Sequence, residues 1–354
     1  MGQGTLALSL AAALLLPAPA RAVRPLTPPA PAFPEDAAWV NAQPMTMGLF
    51  KGRRVVVVAF LNLGNYRSRR AAKVLARWWD RYALEGLMVV GVHTPDYEFD
   101  RDPLQVRRTV RDAGVPFPVV IDTRKKLWDG YQNEGWPAFY LVDHKGRVIH
   151  DKLGEGGYGN FEREILAALE NFNGYRPRAD ATFEADPKPL ACGTATAAVY
   201  LGSRRGAKVA PLAAKSNLPL TPVRDGELAM DGRWEEEAES LRFTGRGDGV
   251  KDELYLIWRG AEAGAVLSRL STEPTSVFVK LDNLWLHGGN AGPDVKWDDS
   301  DRSYVLVDGG RLYQLAHDPN RDRMHELSLL PGGPRVAAHA FEFSDHCEAQ
   351  ADAK

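Results

Sequence analysis

The run RRVVVVAF at residues 53–60 turns from polar to unbroken apolar and reads as a strand buried on both faces. Residues 66–83 follow with the 3.6-residue period of a helix. A strand is predicted over Leu87 to Val92, a helix around Leu104 to Ala113, a short strand over Phe117 to Ile121 and a helical turn over Lys125 to Tyr131. Two further strands, Ala138 to Val142 and Arg147 to Lys152, flank turn residues at Asp143 to Gly146. An amphipathic helix over Phe161 to Phe172 closes the set. Alternating strands and helices, then a hairpin and a last helix, predict an α/β sandwich with a mixed sheet.

The pattern changes near residue 177. The stretch from Pro177 to Pro189 holds three prolines and reads as a linker. Beyond it, short alternating runs are separated by Gly, Asp and Pro: Ala197 to Leu201, Glu253 to Trp258, Ser276 to Lys280, Ser303 to Val307, Arg323 to Leu329 and Ala338 to Phe343. Strands at this spacing predict an all-β sandwich. No internal repeat is visible. The expected organisation is a signal peptide at 1–22, a Pro-rich tether at 23–38, an α/β domain at 39–176, a linker at 177–190, a β-sandwich at 191–347 and a tail at 348–354.

The signal peptide rests on the apolar run Thr5 to Leu16 and on Ala20-Arg21-Ala22, which fits cleavage after Ala22. An uncleaved anchor is the alternative, and the apolar core is short for a membrane span. The expected location is periplasmic or extracellular. Cys192 and Cys347 are the chain's two cysteines, and an even pair in an exported protein reads as a disulfide closing the second domain, with two unpaired cysteines as the alternative. A formal charge of −2 argues against a nucleic-acid binder. Lys and Arg outnumber Asp and Glu 21 to 16 over residues 41–176, and the balance reverses to 21 against 28 over 177–354. This contrast suits either docking of the two halves or simple surface drift.

Several motifs in order carry a resemblance: Trp39-Val40-Asn41, a strand ending at Phe60, GLMVVGVHTPDYEF (86–99), FPVVID (117–122), WPAFYLVDHKGRVI (136–149) and GEGGY (154–158). Together they resemble the thioredoxin-like domain of DipZ-type and TlpA-like thiol–disulfide proteins. TATAAVYLG (194–202), MDGRWEEEAESLRF (230–243) and AFEF (340–343) are similar to the C-terminal β-sandwich of DipZ-type ectodomains. The resemblance implies a thioredoxin-like fold followed by a jelly-roll-like sandwich. It also implies a Cys-x-x-Cys at the start of the first long helix, whose positions here hold Asn65 and Ser68, and a helix proline near Lys73. Strand 55–59 carries no carboxylate to accept a proton. Thiol–disulfide exchange needs one thiolate to attack and a second thiol to resolve, so the family's activity is not expected to carry over.

What the resemblance does carry over is a groove. Trp136-Pro137 matches the family's cis-proline position, and His93, Glu155 and Tyr158 match positions at the strand ends. With Asn65, Tyr66, Arg67 and Ser68 they form a candidate groove for an envelope protein segment, a peptide or a small anion. The helix start at Asn65 to Arg70 suits an anion through its free N–H groups and three arginines, or is an Asn65 N-cap followed by solvated arginines. Ser68 with His93 is a remote nucleophile–base candidate. His93, Glu155 and Asp96 match no metal-ligand spacing, and neither metal nor cofactor is expected. Of Trp78 and Trp79, one is expected in the core. Trp234, Trp258, Trp285 and Trp297 suggest sugar stacking, against an ordinary core role for Trp258. The leading expectation is non-catalytic binding or scaffolding in the cell envelope; the alternatives are a redoxin working with a partner's cysteines and a glycan binder.

Overall fold

Every residue of β2 (Val55–Leu61) is buried, because the strand lies mid-sheet with helices on both sides. The computed structural model describes residues 27–177, 195–206, 210–211, 224–249, 252–318 and 323–344. Around β2 stand β1 (Ala38–Val40), α1 (Tyr66–Tyr82), β3 (Leu87–His93), α2 (Pro103–Asp112), β4 (Val119–Ile121), α3 (Lys126–Gly130), β5 (Ala138–Val142), β6 (Val148–Leu153) and α4 (Tyr158–Asn173). The sheet order is β1-β4-β3-β2-β5-β6, with β2, β3 and β4 parallel and the other pairs antiparallel. Val55, Val57 and Ala59 face one core with Trp78 of α1 and Phe161 of α4. Val56, Val58 and Phe60 face the other with Leu127 of α3 and Tyr131 just after it. Trp78 is fully buried and stacks on Phe161 at 5.7 Å.

The expected tether is corrected over its last residues. The Pro28 carbonyl accepts from Val148 N–H, Ala30 N–H donates to Gly146 O, and the Phe33 ring is buried edge-on against Trp39 at 5.3 Å. A Pro-rich composition resists helix but not docking: extended backbone pairs readily beside a sheet edge.

The second half builds β7 (Val199–Tyr200), β8 (Ala210–Pro211), β9 (Leu228–Asp231), β10 (Trp234–Glu236), β11 (Leu241–Phe243), β12 (Glu253–Trp258) and β13 (Glu262–Arg269). Then come β14 (Thr275–Leu281), β15 (Leu284–Trp285), β16 (Lys296–Trp297), β17 (Ser303–Val307), β18 (Arg311–His317), β19 (His325–Pro331) and β20 (Val336–Ser344). They form a β-sandwich: one sheet runs β10-β11-β20-β13-β18, the other β16-β17-β14-β19-β12-β9-β8. Trp258, Tyr313, Phe243 and Phe341 fill the space between the sheets. Cys192 and Cys347, the expected bridge, lie outside the described residues.

The outer face of β13, β18 and β20 packs on the first domain. Tyr66, the first residue of α1, is buried among Val266, Leu312 and Ala340. A Cβ at Gly264 would sit 2.9 Å from the Tyr66 hydroxyl, so the glycine makes room for the ring. Arg70 holds Glu155 through two bonds of 2.6 and 2.7 Å and also donates to Ser344 Oγ at 2.7 Å. Arg205 of the second domain pairs with Asp96 of the first at 2.7 Å.

Two predictions follow from this packing. The Tyr66 hydroxyl is buried without a hydrogen-bond partner among the described residues. Tyr66→Phe should therefore leave stability unchanged or raise it by up to about 1 kcal/mol, since an unmet buried hydroxyl is costly. A loss of more than about 1 kcal/mol in urea unfolding would reveal a bonded hydroxyl. His325, the first residue of β19, is buried between Asp282, which follows β14, and Asp318, which follows β18, with Nδ1 2.9 Å from Asp282 Oδ2 and Nε2 2.9 Å from Asp318 Oδ2. His325→Ala leaves two carboxylates facing an emptied site, and should cost about 2–4 kcal/mol. An unchanged urea midpoint would contradict this account.

Candidate functional site

The turn between β2 and α1 is organised by its own polar groups. Asn62 N–H donates to Ser68 Oγ at 3.1 Å, and Gly64 N–H donates to Asn62 Oδ1 at 2.8 Å. Asn65 lies in extended backbone, and its Oδ1 accepts from Ser68 N–H at 2.8 Å, so it is the N-cap of α1. Ser68 is completely buried. Asn62 Nδ2 donates to Asp96 Oδ2 at 3.2 Å, tying the turn to the end of β3.

The arginines of the first turn are mostly committed. Arg69 Nε donates to Leu63 O at 3.0 Å, and burial pulls its pKa below the ordinary value. Arg70 serves Glu155 and Ser344, leaving Arg67 as the exposed cation of the three. An anion drawn to this helix end would have to displace bonds the chain already makes.

The other expected groove residues are scattered by burial. His93 is buried at the end of β3, with Nε2 3.1 Å from Asp100 O, and burial lowers its pKa to about 4. The Asp100 carboxyl is pushed up to about 7, again mainly by burial. The Trp136–Pro137 bond is cis, and Pro137 O accepts from Gly154 N–H at 2.8 Å. Trp136 is half-buried against Trp128, with ring centroids 4.6 Å apart. Tyr158 is a core residue in ring contact with Trp78 and Phe139.

The structure thus brings together Asn65 with Ser68, and Arg70 with Glu155. It does not present the expected set as one open groove. Tyr66, Ser68, His93, Pro137 and Tyr158 are interior, and the second domain lies over Tyr66. The sequence pattern set His93 at the end of β3, whereas Tyr66 and Ser68 lie on α1 and Tyr158 opens α4. It could not show that a second sheet docks over the same face. Among the described residues no cluster of His, Cys, Asp and Glu could hold a metal. Glu155 is spent on Arg70, and Asp96 on Arg205 and Asn62.

In the sandwich, Trp258 is core and stacks on Phe343. Trp234 packs on Phe243, Trp285 lies under the Lys280 ammonium, and Trp297 is 43% exposed. These four indoles do not form one platform: they lie on β10, β12, β15 and β16 in two different sheets. Sequence reading missed a cavity of about 730 Å³ that lies between the two domains. It is walled by Phe99 of the helical turn Glu98–Arg101, by Leu104 and Gln105 of α2, and by Arg204, Ser268 and His339 of the sandwich. No local motif marks it, because its walls come from segments more than 100 residues apart.

Residues 28–151 match the AhpC/TSA family. Protein DipZ of Mycobacterium tuberculosis is 32% identical over 247 residues, covering 65% of this chain and 35% of DipZ. The chain therefore spans about a third of the length of that relative. Thiol-disulfide oxidoreductase YkuV of Bacillus subtilis is 27% identical over 144 residues, covering 41% of this chain and 96% of YkuV. Among solved structures, a thioredoxin-like protein in its oxidized form is 27% identical, with a TM-score of 0.38 over 41% of this chain and 97% of the other. A thiol-disulfide isomerase of Corynebacterium glutamicum is 21% identical, with a TM-score of 0.36 over 40% and 96%. Residues 28–151 thus form a thioredoxin-like domain that matches the AhpC/TSA family, and this part of the chain is similar to thiol–disulfide oxidoreductases such as YkuV.

Proposed function

We propose that this is an exported, non-redox relative of the thiol–disulfide oxidoreductases, whose thioredoxin-like domain scaffolds the β-sandwich and holds an envelope protein segment. One observation carries the reading. The two positions where relatives would place their thiols by resemblance, Asn65 and Ser68, bond to backbone N–H groups of their own turn, and the adjacent Tyr66 is packed under the sandwich. A side chain that caps a helix and fastens a turn is doing structural work that a reacting thiolate could not do unchanged.

The exposed remainder of the face supports the binding half of the proposal. Arg67 is exposed, and Trp136 is half-exposed beside the cis Pro137. Leu153 on edge strand β6 is 54% exposed and lies against Gly135. An extended segment could add to this edge while resting apolar side chains on Trp136 and Leu153. Among the described residues no helix is long and apolar enough to cross a membrane. Export rests on residues 1–22, which lie outside the described residues.

The purified protein should not reduce insulin or a glutathione-linked disulfide above a buffer blank. Turnover abolished by Cys192→Ser or Cys347→Ser would move redox chemistry into the second half and overturn the reading. Turnover that appears only with a thiol-bearing partner would favour a redoxin that borrows its cysteines.

Paired thiols placed in the turn test its geometry. In the double variant Asn65→Cys with Ser68→Cys, the first thiol sits at the N-terminus of a 17-residue helix, which stabilises a thiolate. Its pKa should fall below about 8.5, the ordinary thiol value. The pair should close to a disulfide under mild oxidant, yet turn over insulin poorly because the sandwich covers Tyr66. Thiolate absorbance against pH and a reductase assay read both. Failure to form the disulfide would mean the turn is not of thioredoxin type.

A further inference from the structure

Two side chains at the wall of the interdomain cavity are arranged as nucleophile and base. Ser268 Oγ of β13 lies 2.8 Å from His339 Nε2 of β20. His339 Nδ1 lies 3.0 Å from the Glu239 carbonyl oxygen. A carbonyl only accepts, so Nδ1 carries the ring hydrogen, and Nε2 offers its lone pair to the serine hydroxyl. The serine proton is thus already directed at a base whose ring is held by a third group. Neither residue has a function in the turn described above. Both are mostly buried, yet both line a cavity of about 730 Å³.

The backbone makes this pair deliberately. Pairing of β13 with β20 runs from Leu267 opposite Ala338 to Val266 opposite Ala340, so His339 is the extra residue of a β-bulge. Ala338 and Phe341 face the sandwich core, whereas Ala340 faces the first domain. His339 also faces the first domain, where Tyr97 and Phe99 pack edge-on at 5.1 and 5.0 Å. The bulge therefore turns two successive residues outward and places the imidazole over Ser268.

The cavity's charge indicates what it accepts. Its acids are engaged: Glu98 with Arg101, Glu237 with Arg242, Glu239 with Arg204, and Asp102 with the Leu104 N–H. Arg108 lines the same space, is exposed, and pairs with no acid among the described residues. Leu104 and Leu270 are 67% and 45% exposed at the same cavity and offer apolar contact.

We propose that Ser268, activated by His339, is an acyl-accepting nucleophile for esters that carry an anionic group near the acyl carbon. Ser268 Oγ bonds to the ester carbonyl carbon while its proton passes to His339 Nε2. The bond from that carbon to the alkoxide breaks, and the alkoxide leaves with the proton from His339. Water then adds to the acyl-serine, again losing a proton to His339, and the acid is released with Ser268 restored. Burial lowers the His339 pKa to about 4, with the Glu239 and Glu237 charges opposing and Arg205 assisting the fall. The ring is therefore in its base form at neutral pH, and protonation removes it as pH falls through about 4.

The test uses the full chain and a fluorophosphonate, which loses fluoride to an activated serine. Intact mass should show one adduct, and peptide mapping should place it on Ser268. Ser268→Ala should abolish it, and His339→Gln should slow it by about 100-fold or more. The labelling rate of the unsubstituted protein should fall with acidity towards pH 4, measured where circular dichroism shows the native fold, which keeps the test decisive if His339→Gln does not fold. p-Nitrophenyl succinate should be hydrolysed faster than p-nitrophenyl acetate, and Arg108→Ala should erase that preference. No adduct, an adduct on another residue, or labelling indifferent to His339 and to pH would each overturn the proposal.

Discussion

The burial of Tyr66 between the first turn of α1 and the outer face of β13, β18 and β20 governs what either domain can do. Removing such a ring from water contributes about 2–3 kcal/mol, less the cost of its unmet hydroxyl. That net gain is small, so the contact needs support. Arg70 ties α1 to Glu155 within its own domain and to Ser344 across the interface, and Arg205 returns the favour to Asp96. These links are partly buried, which makes them less sensitive to salt than ordinary surface pairs.

Local chemistry was legible wherever it depended on neighbours in sequence. The apolar run at 55–61 announced a central strand, the Asp143–Gly146 turn announced a hairpin, and Asn65 announced a helix cap. The family likeness placed Pro137 at a cis bond. What was not legible depended on partners far along the chain. Phe33 sits in a stretch whose prolines suggest a free tether, and nothing nearby reveals that Trp39 and the 146–148 edge await it. Tyr66 reads as an exposed residue of a binding turn until Gly264, nearly 200 residues later, is seen to admit its ring.

The same limit explains why the candidate groove dissolved and another cavity replaced it. The groove residues were grouped by family resemblance near the strand ends, but strand ends are also where a second domain finds unfilled space. Ser68 with His93 was the nucleophile–base pair that chain order suggested. The structure gives Ser68 to the Asn62 N–H and His93 to the Asp100 carbonyl. The pair that does bond, Ser268 with His339, is separated by 71 residues and joined by an irregularity no periodicity announces.

That irregularity links the two faces of the account. In a regular β20, alternation would set residues 338, 340 and 342 on one face and 339, 341 and 343 on the other. Ala338 instead faces the sandwich core with Phe341 and Phe343, while Ala340 meets Tyr66. The change of phase falls at His339. Without it, either Ala338 would leave the core or Ala340 would turn away from Tyr66, and the imidazole would point between the sheets among Leu267 and Phe341. One extra residue thus keeps the sandwich core filled, seats the second domain on the helix cap, and holds His339 at the cavity wall. The docking that covers the turn at Asn65 and the cleft that opens beside Ser268 are two results of one backbone feature.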